Sequence, residues 1–283
     1  MVLIDGKKVS AEVRACLAKE VGELKEKTGR VPGLATVLVG DDPASAVYVR
    51  NKNKICRELG FKSFEQKLSL DTSEAKLLQL IKELNSNNDI HGILVQLPLP
   101  NQIDSEKILQ AIDPNKDVDG FHPVNVGKLV VGNALLTPCT PTGIIKLLDY
   151  YEIDISGKHA VVLGRSNIVG KPVSMLLLQR NATITICHSR TTNLEEITRS
   201  ADILVAAIGR ANFVTENMVS NGVIVIDVGI NRVDGKLTGD INFEPVSKKA
   251  SYITPVPGGV GPMTIALLME NTLKAFKESI DIN

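Results

Sequence analysis

A tyrosine and a lysine stand in this chain where a helix should bury apolar side chains. Asp42-Pro43 reads as an N-cap with proline in the first helical turn, and Gly60 supplies the stop. Between them Tyr48, Lys52, Ile55 and Leu59 recur at i, i+4, i+7 and i+11, which is one helix face and is expected to pack inward. An ammonium on such a face needs a partner or loses its proton. Lys52 therefore reads either as a site lysine whose pKa is drawn down toward base chemistry or as a cation that snorkels to solvent. Gln96 directly follows the apolar ILV of a strand, and Asp119 lies in the turn-rich KDVDGF segment. In parallel sheets, ligands gather at the carboxyl ends of strands. A strand-end Gln and a turn Asp often only cap backbone groups, but their agreement with Tyr48 and Lys52 points to one polar mouth.

A second group of residues suits a phosphate. The strand HAVVL (159–163) runs into Gly164-Arg165-Ser166-Asn167-Ile168-Val169-Gly170-Lys171-Pro172, with a helix expected from near Pro172. A glycine turn between strand and helix aims backbone N–H groups and the helix dipole at an anion. Ser166 replaces the second glycine of G-x-G-x-x-G, so this stretch alone fits a tight structural turn equally well. The next strand, TITIC, ends in His188-Ser189-Arg190-Thr191, without the carboxylate that NAD enzymes place on the ribose 2′-OH. Ser189 with Arg165 or Arg190 suits a 2′-phosphate instead, which favours NADP.

The elements that position these residues alternate. Ser10 is expected to cap a helix with Val13, Leu17, Val21 and Leu24 on its apolar stripe. LATVLVG (34–40), a stretch near 62–68 and HGILVQLPLP (91–100) read as strands, and between the last two Asp71-Thr72-Ser73-Glu74 reads as the capping box of a helix. DPNKDVDGFHP (113–123) breaks the pattern and reads as the end of the first unit. A new series follows in HAVVLG (159–164), TITIC (183–187), ILVAAI (203–208) and VIVIDVG (223–229). ITPVPGGVGPMT (253–264) reads as a rigid loop before a last helix from Ile265 to about Lys277. The fold class is α/β: two domains, each a mostly parallel sheet flanked by helices, the second Rossmann-like, with the substrate cleft expected between them.

Bulk properties narrow the function. The 283 residues suit two domains. Thirty-two basic residues balance 32 acidic ones, so no footprint for nucleic acid or an anionic membrane appears. No stretch approaches the about 18 apolar residues of a membrane helix, and the start MVLIDGKKVS lacks a signal-type apolar region. Cys16, Cys56, Cys139 and Cys187 are scattered, which fits a reducing, cytoplasmic setting and no metal. His91, His122, His159 and His188 likewise suggest no metal role.

Eight motifs in order carry a family resemblance: VGDDPASAVYVRNKNK (39–54), GILVQLPLP (92–100), KDVDGFHPVNVGKL (116–129), TPCTPTGI (137–144), GKHAVVLGRSNIVGKP (157–172), CHSRT (187–191), DVGIN (227–231) and TPVPGGVGPMT (254–264). Over essentially its whole length the chain resembles the bifunctional methylenetetrahydrofolate dehydrogenase/methenyltetrahydrofolate cyclohydrolases of the short bacterial type. The resemblance implies NADP-dependent oxidation of 5,10-methylenetetrahydrofolate to the methenyl cation, then hydrolysis to 10-formyltetrahydrofolate. It makes Tyr48, Lys52, Gln96 and Asp119 the catalytic residues, with Asp119 on the pterin. Leu97, Pro98, Gly259, Val260, Gly261 and Pro262 join the tetrahydrofolate side. Gly164, Arg165, Ser166, Ile168, Gly170, Ser189, Arg190 and Ile230 join the NADP side. It further implies a folate-binding catalytic domain over 1–120, an NADP-binding domain over 121–283, a final helix of about 264–283 packed on the first domain, and a homodimer. Two other readings compete: another two-domain NADP dehydrogenase resembling shikimate dehydrogenase, and a non-catalytic dinucleotide sensor.

Overall fold

The computed structural model describes residues 1–281; Ile282 and Asn283, the end of the expected final segment, lie outside the described residues. The chain opens with strand β1 (Val2–Leu3) and helix α1 (Gly6–Thr28). Then β2 (Gly33–Val39), α2 (Pro43–Glu58), β3 (Lys62–Leu68), α3 (Glu74–Ser86) and β4 (Gly92–Val95) alternate. Three helices follow, α4 (Ser105–Ala111), α5 (Pro123–Val131) and α6 (Cys139–Tyr150). The second series is β5 (His159–Leu163), α7 (Gly170–Gln179), β6 (Thr183–Cys187), α8 (Leu194–Arg199), β7 (Ile203–Ala206) and β8 (Ile224–Asp227). A short antiparallel pair, β9 (Asn231–Val233) and β10 (Lys236–Thr238), precedes α9 (Phe243–Ser247), β11 (Tyr252–Ile253) and α10 (Val260–Ser279). Among the described residues no helix is long and apolar enough to cross a membrane.

Two compact units divide the chain. One comprises Glu12–Cys139 and the chain from Ile265 onward. Its sheet has the order β3-β2-β4, all parallel, with Val39 opposite Leu68 and Val37 opposite Val95. The central strand β2 is buried along its whole length, as a continuous apolar run requires. Leu77, Ile81 and Leu84 of α3 and Ile108 of α4 form a core with Ala35, Val37, Ile93 and Val95. Each fully buried aliphatic side chain there contributes about 1.5–3 kcal/mol. The turn-rich 113–123 segment does not end this unit. Ile93 N–H donates to the Lys116 carbonyl (2.8 Å), and α5 buries Asn125 and Leu129. The division falls at Cys139/Thr140 and not at the expected 120/121.

The other unit comprises Met1–Ala11 and Thr140–Thr264. Its six-stranded parallel sheet runs β1-β11-β8-β7-β5-β6. The chain leaves β5 to one side for β6 and returns on the other side for β7, which creates a topological switch point between β5 and β7. Val161, Leu163, Leu204, Ala206 and Val225 head its buried core.

Three element expectations need correction. Helix α1 starts at Gly6, because Asp5 Oδ1 accepts the N–H groups of Lys7 and Lys8 (2.9 and 3.1 Å) and so does the capping assigned to Ser10. Ser10 Oγ donates instead to the Pro262 carbonyl at 3.0 Å. The strand read over 91–100 is only Gly92–Val95. Finally, α10 begins at Val260, so Val260, Gly261 and Pro262 form its first turn rather than a loop; proline is tolerated there because that N–H has no intrahelical acceptor.

Candidate active site

Helix α2 is capped as expected: Asp42 Oδ2 accepts Ser45 N–H at 2.7 Å. Among its described side chains, however, the buried ones are Ser45, Val49, Asn53 and Cys56, a face offset from the Tyr48/Lys52/Ile55 line, while Leu59 just past the helix is buried as expected. The offset has a cause on the central strand, where Thr36 Oγ1 donates to Asn53 Oδ1 at 2.8 Å and makes a buried asparagine acceptable. Lys52 therefore sits on the helix flank, half-buried, and Tyr48 is 43% exposed. From that flank Lys52 Nζ donates to Gln96 Oε1 at 3.0 Å. Gln96 is held in turn. Its N–H donates to the Val37 carbonyl (2.9 Å), continuing the ladder past β4, and its Nε2 donates to the Leu97 carbonyl (2.7 Å). The amide is thereby oriented with its oxygen toward the lysine. Leu97 is half-buried and Pro98 exposed, and the peptide bond between them is cis, as is Val256-Pro257.

The KDVDGF segment divides its charges between structure and site. Lys116 Nζ donates to the carbonyls of Asn85 (2.7 Å) and Asn87 (2.8 Å). The buried Asp117 carboxylate accepts the N–H groups of Phe121 (3.2 Å) and His122 (2.8 Å) and Asn125 Nδ2 (2.8 Å). Asp119 has no such side-chain bond among the described residues, and its flanks are pinned. The Val118 carbonyl accepts Asn271 Nδ2 at 2.9 Å. Gly120 (φ +72°) lies so close to the Thr137–Pro138 backbone that a Cβ would come within 2.6 Å of Pro138 N. Asp119 keeps some accessible surface, yet its carboxyl is packed about by protein. Desolvation pushes its pKa up to about 6; the Lys52 charge pulls it down and the Asp117 charge pushes it further up. The field of Lys52 thus reaches Asp119. Tyr48, Lys52, Gln96 and Asp119 all belong to the unit containing 12–139.

Sequence reasoning missed two residues in this unit. Fully buried Asn271 donates through Nδ2 to the carbonyls of both Val118 and Thr137 (2.9 and 2.8 Å). Buried Cys139 Sγ donates to the Val118 carbonyl at 3.3 Å, and burial holds its thiol well above the usual range. An asparagine on the apolar stripe between Leu268 and Leu273 was the available signal.

In the other unit, β5 ends in Gly164, whose φ of +115° suits glycine. A Cβ at Gly164 would strike the Ala207 carbonyl, and one at Gly170 would strike the Gly164 carbonyl. Both glycines are therefore required by the closeness of strand, turn and helix. Helix α7 starts at Gly170, two residues before Pro172. Its first-turn amides are not the open ones: Ser166 Oγ accepts from Val169 and Gly170 (3.2 and 3.3 Å), and the Ser166 carbonyl accepts from Lys171 (3.1 Å). The amides that find no acceptor among the described residues belong to Arg165, Ser166, Asn167 and Ile168, all exposed. At the end of β6, residues 188–191 form a tight turn. Thr191 N–H donates to the His188 carbonyl and Arg190 N–H to His188 Nδ1 (2.9 and 3.2 Å), leaving the Ser189 and Arg190 side chains exposed. Ile230, just past β8, is 51% exposed. Gly259 and Val260 are buried, Pro262 is half-buried and Gly261 exposed. Among the described residues, no cluster of three His, Cys, Asp or Glu could hold a metal ion.

Comparison with known proteins matches both parts of the chain to one family. The family described as "Tetrahydrofolate dehydrogenase/cyclohydrolase, catalytic domain" matches residues 4–119, and "Tetrahydrofolate dehydrogenase/cyclohydrolase, NAD(P)-binding domain" matches 138–280. The "Bifunctional protein FolD" of Streptococcus mutans is 56% identical over 98% of both chains. A crystal structure of the FolD methylenetetrahydrofolate dehydrogenase/cyclohydrolase from Campylobacter jejuni superposes with a TM-score of 0.96 at 52% identity, covering 98% of this chain and 99% of that one. The Trypanosoma brucei enzyme, complexed with NADP cofactor and inhibitor, gives 0.95 at 40% identity over 99% and 98%. With family matches over most of its length and relatives above half identity along nearly all of it, the chain belongs to the tetrahydrofolate dehydrogenase/cyclohydrolase family.

Proposed function

We propose that this chain performs both reactions of its family, oxidising 5,10-methylenetetrahydrofolate with NADP and hydrolysing the methenyl product to 10-formyltetrahydrofolate, and that Lys52, Gln96, Tyr48 and Asp119 carry the folate chemistry. The single observation behind the assignment is the Lys52 Nζ–Gln96 Oε1 hydrogen bond (3.0 Å), made from a helix flank rather than from the core. NADP supplies the acceptor for the hydride that leaves the one-carbon bridge. No base is needed at that carbon, so the protein's work in this step is positioning. Hydrolysis is different. Water adds to the methenyl carbon, one of its protons leaves, and the bond to N5 breaks as N5 keeps the electron pair and takes the other proton, giving the 10-formyl product. Lys52, directed by Gln96, takes the role of moving that proton. The Asp119 carboxylate, with no side-chain hydrogen bond among the described residues, anchors the N–H donor edge of the pterin. Tyr48, one turn before Lys52, covers the same mouth, and Leu97, Pro98 and the 259–262 segment contribute to the folate side.

For the cofactor, the open amides of 165–168 and the Arg165 side chain suit phosphate, and the glycine pair Gly164/Gly170 brings the turn close enough. Ser166, Ile168 and Ile230 complete the contacts. Ser189 and Arg190, in a turn without a carboxylate, favour the 2′-phosphate of NADP over NAD. The same reading gives folate binding to the unit of 12–139 and 265 onward, NADP binding to the unit of 1–11 and 140–264, a cytoplasmic setting and a homodimer; light scattering should return twice the 30.5 kDa chain mass.

Absorbance tests the main claim. Purified protein with 5,10-methylenetetrahydrofolate should reduce NADP faster than NAD, and it should then accelerate decay of the methenyl chromophore. Reduction without accelerated decay would leave only a dehydrogenase; no reduction with either nucleotide would sink the proposal.

A further inference from the structure

The unit carrying the NAD(P)-binding sheet contains two buried carboxylates that the chemistry above does not use. Asp240 is fully buried and Asp227 is 3% exposed. Asp240 Oδ2 accepts the N–H groups of Ile208 (2.7 Å) and Gly209 (3.0 Å), while its Oδ1 accepts Arg210 N–H (2.8 Å) and Asn231 Nδ2 (3.0 Å). Residues 208–210 follow β7, the strand at the switch point. Ala207, just before them, donates its N–H to the Leu163 carbonyl (2.8 Å) beside the Gly164 turn. Asn231 adjoins Ile230 beyond β8. One carboxylate therefore ties together two loops on the edge where parallel sheets bind nucleotides. Asp240 is itself located by Asp227, which accepts the N–H groups of Gly229, Asp240 and Ile241 at 2.9–3.0 Å.

Three successive amides converging on one point would form a nest for an external anion. Here that nest is filled from within, so these amides are closed to phosphate and serve to fix loop shape. Resting on the NADP reading above, we propose that Asp240 is a positioning residue for the dinucleotide: it sets the loops after β7 and β8 in the conformation that receives the cofactor, without touching it.

The test uses Asp240→Asn in the full chain, because the amide keeps the shape but turns a donor toward N–H groups. Three quantities are read: the Kd for NADPH by its fluorescence, the KM for NADP in the dehydrogenase assay, and hydrolysis of added methenyltetrahydrofolate without nucleotide. Kd and KM should rise about tenfold or more, as expected for losing bonds to a charged acceptor. Hydrolysis should stay within about twofold of the unaltered chain, since the hydrolytic residues are remote in sequence and belong to the other unit. Unchanged Kd and KM, with or without a lower melting temperature, would overturn the proposal, as would parallel loss of both activities at constant KM for NADP. Should Asp240→Asn fail to fold, Asn231→Ala decides: it keeps the three backbone bonds and removes the tie between loops, so an unaltered NADPH Kd would overturn the proposal equally. Failure of the unaltered chain to reduce NADP would instead strike the functional reading, and direct NADPH binding separates the two cases.

Discussion

At the scale of single residues, the site works through what each polar group lacks. Lys52 has a neutral partner, Gln96, so its hydrogen bond orients the ammonium without cancelling its charge. Replacing it by methionine keeps the stem and removes the proton carrier. Lys52→Met should lower hydrolysis of methenyltetrahydrofolate by about 10²–10⁴-fold, the usual worth of a positioned acid or base, and lower NADP reduction less. Unreduced hydrolysis would remove Lys52 from the role. Asp119 gives a pH signature. Burial pushes its pKa up to about 6, and in the proposed role only the ionised form would accept two pterin donors. KM for methylenetetrahydrofolate should therefore climb as pH falls through 6, and Asp119→Asn should show a high KM with that titration absent. The stability sign runs the other way. The folded pKa lies above the ordinary 3.8, so the ionised carboxyl costs stability above pH 6, and the cost vanishes as pH falls below about 4. Asp119→Asn should melt higher than the unaltered chain at pH 8 and converge with it near pH 4.

At the scale of elements, the strand–turn–helix unit around 164–170, in the proposed cofactor site, is held by close backbone approach at Gly164 and Gly170. Gly170→Ala places a methyl against the Gly164 carbonyl, so turn or helix must move, at about 1–3 kcal/mol for an overpacked position. NADP reduction should weaken through KM, while hydrolysis of added methenyltetrahydrofolate persists; a normal KM for NADP would show that the turn does not hold the cofactor. Strands were legible in the sequence wherever a continuous apolar run was bounded by turn formers, as within 34–40 and 203–208. The rotation of α2 was not legible. Ser45 and Asn53 look like solvent-facing residues until Thr36, distant in sequence, supplies the partner that lets Asn53 go inside. The start of α10 was hidden for a related reason: the Pro/Gly signal of 253–264 is real, but glycine and proline are also compatible with a first helical turn. Among the proposed site residues, Lys52 was legible as a misplaced polar group, Gln96 by its place at a strand end, and Asp119 by its turn. That Asp117 is spent on two backbone amides and Asn125 while Asp119 has no side-chain hydrogen bond among the described residues needed the folded segment.

At the scale of the whole molecule, stability against acid is a sum over groups displaced in opposite directions, and variants isolate them. His91 is 4% exposed, accepts Gly33 N–H at Nδ1 (3.0 Å) and packs edge-on against Phe276. Burial, with help from the Arg30 and Lys116 charges, pulls its pKa down to about 4 from 6.5. Between those values the unfolded chain carries a proton that the folded chain refuses, so stability is intact above pH 6.5 and is lost as pH falls toward 4. Asp227, buried and pushed up to about 6, acts oppositely over nearly the same window, because its folded form takes up a proton first. The two partly cancel, and the unaltered chain conceals both. His91→Phe gives up the Gly33 acceptor at every pH but removes the titration. The unaltered chain should be the more stable one at pH 8, and its advantage should shrink by on the order of 3 kcal/mol on going to pH 4. Denaturant melts of both proteins at pH 4, 5, 6.5 and 8 measure this directly. A constant gap across the series would mean that His91 titrates normally in the fold, and that its buried contact with Phe276 leaves its proton affinity untouched.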